Sequence, residues 1–243
     1  VFNIGFFFFF LIYSTFHTEY LHINGKGRAF NMKIIIDTLN DTTLLLESIS
    51  INAHSAGFAI ETLGKGPLNL FTYGIVQIKG YSPTKSNGKA AIYCGKLVIH
   101  TANKLIIKGG DGADGKDSND YGGNGGNGAP AIITSDDIYI LCSNVQIAAG
   151  LAGKGGSGRY FGYGGKGASP IYGVNEKPTV YILEGVSNII FVVTENAENG
   201  QGETPPPTGV IVPPIDIPVI NPGIGGGGGI VIPQPPYTPP VYM

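Results

Sequence analysis

The feature that most constrains this chain is an internal repeat. Placing Ala91 over Ala131 aligns two segments at a period of forty residues. The first carries short apolar runs at 91–94, 96–99 and 104–107, then a glycine tract that closes at Ala129-Pro130. The second carries runs at 131–134, 137–140 and 144–147, and closes its tract at Ala168-Ser169-Pro170. Shorter versions lie on either side, with runs at 48–52, 59–60, 68–70, 75–80, 179–182 and 188–193. The alternation in Leu97/Ile99, Leu105/Ile107, Ile138/Ile140, Val145/Ile147 and Val180/Ile182 puts those side chains on one face of a strand. A single such unit cannot bury its own inward face, so units at a constant period must stack. The expectation is an all-β chain, a β-solenoid or β-helix with three short strands per turn and Ile78, Ile107 and Ile147 in one interior file. A β-sandwich is the alternative for the same strands.

Two excursions interrupt the central units at the same place, 109–128 and 150–167. In the first, Gly109, Gly112 and Gly115 fall three apart, and the spacing resumes at Gly122, Gly125 and Gly128 after a polar stretch. In the second, Gly150, Gly153 and Gly156 repeat it, followed by Gly162 and Gly165. A polyproline-II helix has three residues per turn, so this spacing leaves one bare face along which backbones can approach closely. Each excursion reads as an out-and-back pair of such helices, with a tip roughly 20 Å from the strands. The alternative is a pair of disordered glycine loops.

A strand platform bearing period-three glycine tracts resembles the glycine-rich receptor-binding adhesins at the tips of phage tail fibres. Those pack polyglycine-II helices and present loop tips to a bacterial surface. The residues that carry the likeness are Gly109 to Gly128 and Gly150 to Gly167; the long glycine arrays of that family are shorter here. The resemblance implies tips at 116–121 and 157–163. It makes Tyr121, Arg159, Tyr160, Phe161 and Tyr163 candidate ligand-binding residues, because aromatic faces and a guanidinium suit a sugar ring and its hydroxyls. The bland reading of these aromatics is that they only cover glycine surface.

Composition narrows the function classes. Only 13% of residues are charged and the formal net charge is -2, which offers no electrostatic footprint for nucleic acid. The apolar run at 5–13 is too short to span a bilayer as a helix. Two cysteines with no Cys-x-x-Cys or His/Cys cluster give no metal centre and no disulfide scaffold, and no cofactor is expected. The stretch 109–117 comes close to a calcium nonapeptide, but its inward apolar position is Lys116 and no tandem copy follows. Weak calcium binding at Asp111, Asp114 and Asp117 is the residual option. For catalysis, Asp136 and Asp137 are adjacent in a strand and point to opposite faces. His54 and His100 lack a nucleophile in a recognised elbow. The chain is therefore read as not an enzyme, and a polysaccharide-active enzyme ranks third. Ice binding is a minor alternative, since Thr101, Thr134 and Thr194 form no regular ladder.

The ends differ from the middle. Residues 1–31 read as a leader, a weak signal or anchor segment or untranslated in nature, with Met32 as the start, and are set apart from the fold. Residues 32–203 form the repeat domain. The tail 204–243 holds 12 of the 17 prolines and a single charge, Asp216, with apolar runs at 210–212, 215–217 and 230–232. Extended apolar segments of this kind suit strand addition, so 209–232 is expected to dock on the same chain or to mediate self-association. The expected role is a non-catalytic surface or fibre-tip binding protein, extracellular or on a virion or cell surface, with a cell-surface glycan or protein receptor as partner. A structural protein of a coat or filament is the runner-up.

Overall fold

The computed structural model describes residues 13–16, 20–37, 40–54, 57–63, 66–204 and 230–231. Among these there are seventeen strands and no helix. The repeat becomes strand pairing: each run lies parallel beside its counterpart one unit away. The smaller sheet holds, in spatial order, β1 (Tyr13–Phe16), β3 (Lys33–Ile36), β5 (Ile60–Thr62), β8 (Ile92–Cys94), β11 (Ile132–Thr134) and β14 (Ile171–Gly173). Ile34, Ile60, Ile92, Ile132 and Ile171 stand opposite one another across it, all fully buried. Burying an isoleucine side chain contributes roughly 1.5–3 kcal/mol, so this file is a main source of stability.

The larger sheet has eleven strands, and β4 (Thr42–Asn52) is its hub. β2 (Tyr20–Asn31) pairs with it along one edge. Along the other edge, the first half of β4 pairs with β6 (Leu68–Tyr73) and the second half with β7 (Ile75–Lys79). One row continues from β6 through β9 (Leu97–Thr101), β12 (Ile138–Ile140) and β15 (Thr179–Ile182). The other continues from β7 through β10 (Lys104–Lys108), β13 (Val145–Ala148) and β16 (Ile189–Val192). Ile78, Ile107 and Ile147 stand in one buried file of this second row.

This arrangement corrects the β-solenoid expectation. A β-helix with three strands per turn keeps three separate faces. Here β2 and β4 run on through the corner, so two of the three rows belong to one curled sheet and only two sheets exist. The fold is all-β with two parallel sheets enclosing one core, not a β-helix. The bend is local. Lys26 (φ 49) in β2 and Ser48 (φ 45) in β4 take the left-handed conformation, and Gly74, Asn144 and Asn188 do the same between the later strands. Asparagine tolerates that region better than most residues.

The two ends also enter the sheets. β1 and β2 fall inside the segment read as a leader, and Leu21 and Ile23 of β2 join the buried core. In the tail, β17 (Ile230–Val231) adds antiparallel to β15, opposite Thr179 and Val180. The rest of 205–243, including most of the expected docking segment, lies outside the described residues. Among the described residues no helix is long and apolar enough to cross a membrane.

Candidate functional site

The excursions leave the sheet after β10 and β13 and return before β11 and β14, and their glycines are hydrogen-bonded to other segments at every third residue. Between the two excursions, the N–H groups of Gly112, Gly115, Gly122, Gly125 and Gly128 donate to the carbonyls of Leu151, Lys154, Tyr160, Tyr163 and Lys166 at 2.7–3.0 Å. Within the first, Gly123 donates to Lys116 and Gly126 to Ala113; within the second, Gly162 donates to Gly156 and Gly165 to Gly153. Gly153 and Gly156 donate back to Gly126 and Gly123. A three-residue repeat bonded only to neighbours is the pattern of packed helices that have no internal hydrogen bonds. Glycine is required sterically: a Cβ on Gly115, Gly122, Gly153 or Gly156 would land on a neighbouring backbone carbonyl.

The residues after Gly126, Gly150, Gly153, Gly156, Gly162 and Gly165 have N–H groups that carboxylate or amide side chains take. Asp111, Asp114 and Asp117 accept from Leu151, Lys154 and Ser157 at 2.8, 2.8 and 2.6 Å. Asn124 and Asn127 accept from Tyr163 and Lys166 at 2.9 and 2.8 Å, and Asn87 accepts from Asn127 at 2.8 Å. The three aspartates considered for calcium are therefore spread along one strand-like segment as acceptors, each spaced by a turn. No group of three potential ligands converges among the described residues. Lys108 and Lys79 also pair with Asp111, at 2.9 and 3.4 Å.

The two turns at the far end meet. Ser118 N–H donates to Ser157, Arg159 to Asn119, and Tyr160 to Asp120. This register stacks Tyr121 on Tyr160, with ring centroids 4.9 Å apart, and sets the Arg159 guanidinium 5.4 Å from the Tyr160 ring. Tyr121 is 58% exposed. Phe161 and the exposed Tyr163 form a second, edge-to-face pair at 5.4 Å. Tyr160 and Tyr163 are three residues apart, hence on one side of their segment about 9 Å from each other. The five residues singled out from sequence thus fall into two adjoining aromatic groups on one end of the bundle.

Two further segments join the bundle that glycine spacing alone did not mark. The stretch 80–89 packs on the first excursion through Gly88 to Asn127 and Ala113 to Ser86. The stretch 194–203 packs on the second: Ala197 donates to Gly165, Gly200 to Gly162, and Gly155 to Glu198. Glu203 completes the tip, donating to Arg159 and accepting from Phe161. The legible signal was Thr194, Ala197 and Gly200, small residues three apart, with Asn196 and Asn199 supplying acceptors to Gly167 and Gly164.

Two of the residues weighed for catalysis, Asp137 and His100, lie elsewhere and are engaged. Asp137 accepts from Thr179 N–H at 2.9 Å, and the His100 ring lies flat against Phe71 at 4.2 Å. Burial pushes the Cys94 thiol up to about 12, with a hydrogen bond from Thr134 opposing it. The chain matches no protein-family model, no curated protein and no solved structure.

Proposed function

We propose that this is a non-catalytic surface or fibre-tip binding protein whose contact surface is the far end of the glycine bundle. One observation carries the reading. Tyr121 stacks on Tyr160 beside Arg159, and Phe161 meets Tyr163 edge to face, on backbone hydrogen-bonded to neighbouring segments, with Tyr121 and Tyr163 open to solvent. A rigid backbone presenting exposed aromatic edges loses little entropy on binding, and aromatic faces pack well on the C–H face of a sugar. The partner is a cell-surface glycan or a protein receptor, and the protein acts at an extracellular, virion or cell surface.

Binding of the full chain to immobilised bacterial-surface polysaccharides, measured beside Tyr121→Ala and Tyr160→Ala, tests this. Loss of at least about tenfold in affinity with an unchanged melting curve supports the tip; equal binding by all three chains removes it. A structural role in a coat or filament has one observation in its favour. β16 is an apolar strand paired only with β13 among the described residues, and Ile190 on it is 52% exposed. Filaments of the full chain seen by negative-stain microscopy, with no glycan binding, would favour that reading.

A further inference from the structure

Asparagine followed by glycine is the sequence most prone to spontaneous deamidation, and this chain holds five such pairs: Asn24-Gly25, Asn87-Gly88, Asn124-Gly125, Asn127-Gly128 and Asn199-Gly200. In that reaction the backbone nitrogen of the glycine attacks the asparagine Cγ. A new C–N bond closes a succinimide, the side-chain amide leaves as ammonia, and water then opens the ring to aspartate or isoaspartate. The attack needs a free glycine N–H and a side chain able to swing onto it. In the bundle both are held. The Gly88, Gly125, Gly128 and Gly200 N–H groups donate to Asn127, Tyr163, Lys166 and Gly162, while the four asparagine Oδ1 atoms accept from Asn127, Tyr163, Lys166 and Gly164.

The locks are not equal. The segment holding Asn124 and Asn127 has bonded neighbours on both sides: Lys116 and Ala113 accept from it, and Gly153 and Gly156 donate to it. The Asn87 segment is a compact turn between β7 and β8, closed by Lys89 N–H on Tyr81 and with Gly88 buried against Gly110. Among the described residues the stretch 194–203 is bonded to the second excursion alone; Asn199 is exposed, as Asn87 and Asn124 are, so the difference lies in the neighbours. Local opening starts where a segment has fewest neighbours.

We infer that Asn199 is the bundle's site of spontaneous deamidation, released by opening of the outer segment 194–203. Isoaspartate there adds a backbone carbon and breaks the three-residue register. It thereby frees Glu203 from Arg159 and Phe161 and loosens the candidate binding tip, so the modification acts as a slow covalent clock on that end of the molecule. The site itself does not depend on the tip's having a ligand.

The test incubates the full chain at mildly alkaline pH and follows each Asn-Gly peptide by mass spectrometry, with a urea-unfolded sample as reference. Asn199 is expected to convert roughly tenfold faster than Asn87, Asn124 and Asn127 in the folded chain, and at a comparable rate to them in urea. Ala197→Pro, which removes the bond to Gly165, should speed Asn199 several-fold and leave Asn124 unchanged. Conversion of Asn124 or Asn127 as fast as Asn199, or equal acceleration at every site in Ala197→Pro, overturns the inference. Glycan binding plays no part in the readout, so it stands or falls separately from the proposed function.

Discussion

Asp111 shows how a single side chain ties the bundle to the sheet. Burial alone would raise its carboxyl, but the Leu151 N–H and the ammonium groups of Lys108 and Lys79 outweigh that and hold it below its ordinary value of 3.8. A carboxyl depressed in the folded chain contributes stability that is present above its unfolded value and lost as pH falls through the folded one. Stability should therefore decline on acidification below about pH 4, and Asp111→Asn, which keeps the acceptor but not the charge, should flatten that decline in urea titrations. Sterics make the second prediction. Gly122→Ala puts a methyl group against the Gly156 carbonyl and 2.8 Å from Gly162 N, and should cost roughly 1–3 kcal/mol of unfolding free energy. Gly57→Ala has as its nearest neighbour the Lys33 side chain, at 3.3 Å and beyond, and should be nearly neutral. Buried Cys94, with its thiol raised to about 12, should resist alkylation at neutral pH longer than half-buried Cys142 until the chain is unfolded.

At the scale of elements, the corner between the two rows of the large sheet decides the architecture. Asn144 (φ 63) and Asn188 (φ 57) hold it, and the Asn188 side-chain amide donates to Asn144 Oδ1 at 3.0 Å. Asn144→Ala should lower stability by about 1 kcal/mol or more, and Asn144→Gly should lose less, as read from urea midpoints. The strands themselves were legible: Leu105, Ile107, Val145 and Ile147 alternate in sequence and are buried in register. What the period could not reveal is that β4 continues through its corner. Ser48 bends the strand without a glycine or asparagine to mark the place, so two rows that look separate in sequence share one sheet. β2 was hidden for a related reason. Its Lys26-Gly27-Arg28 stretch breaks the alternation, and the large apolar residues that bury fully, Leu21 and Ile23, are two positions of a strand that also carries His22, Asn24, Lys26 and Arg28. In the bundle, glycine spacing pointed to the two excursions, but 194–203 has threonine and alanine before Gly200 at its three-residue positions, and residue type alone understated it.

For the whole molecule, the sheets and the bundle are one structure built on one forty-residue displacement. The step of forty that pairs Leu105 with Val145 also sets Asp111 beside Leu151, and a second turn shorter by one residue sets Tyr121 beside Tyr160. The sheets provide the apolar core, and the bundle, nearly without apolar side chains, is held by backbone hydrogen bonds to its neighbours. The candidate tip exists only if that lattice is ordered in solution. Amide hydrogen exchange across the glycine segments tests this most directly. Gly115, Gly122, Gly125, Gly153 and Gly156 should exchange orders of magnitude more slowly than an unstructured glycine, approaching the protection of Ile107 and Ile147 in the sheet. Exchange of those glycines at the unstructured rate, with the strands still protected, would contradict the bundle and the tip built on it.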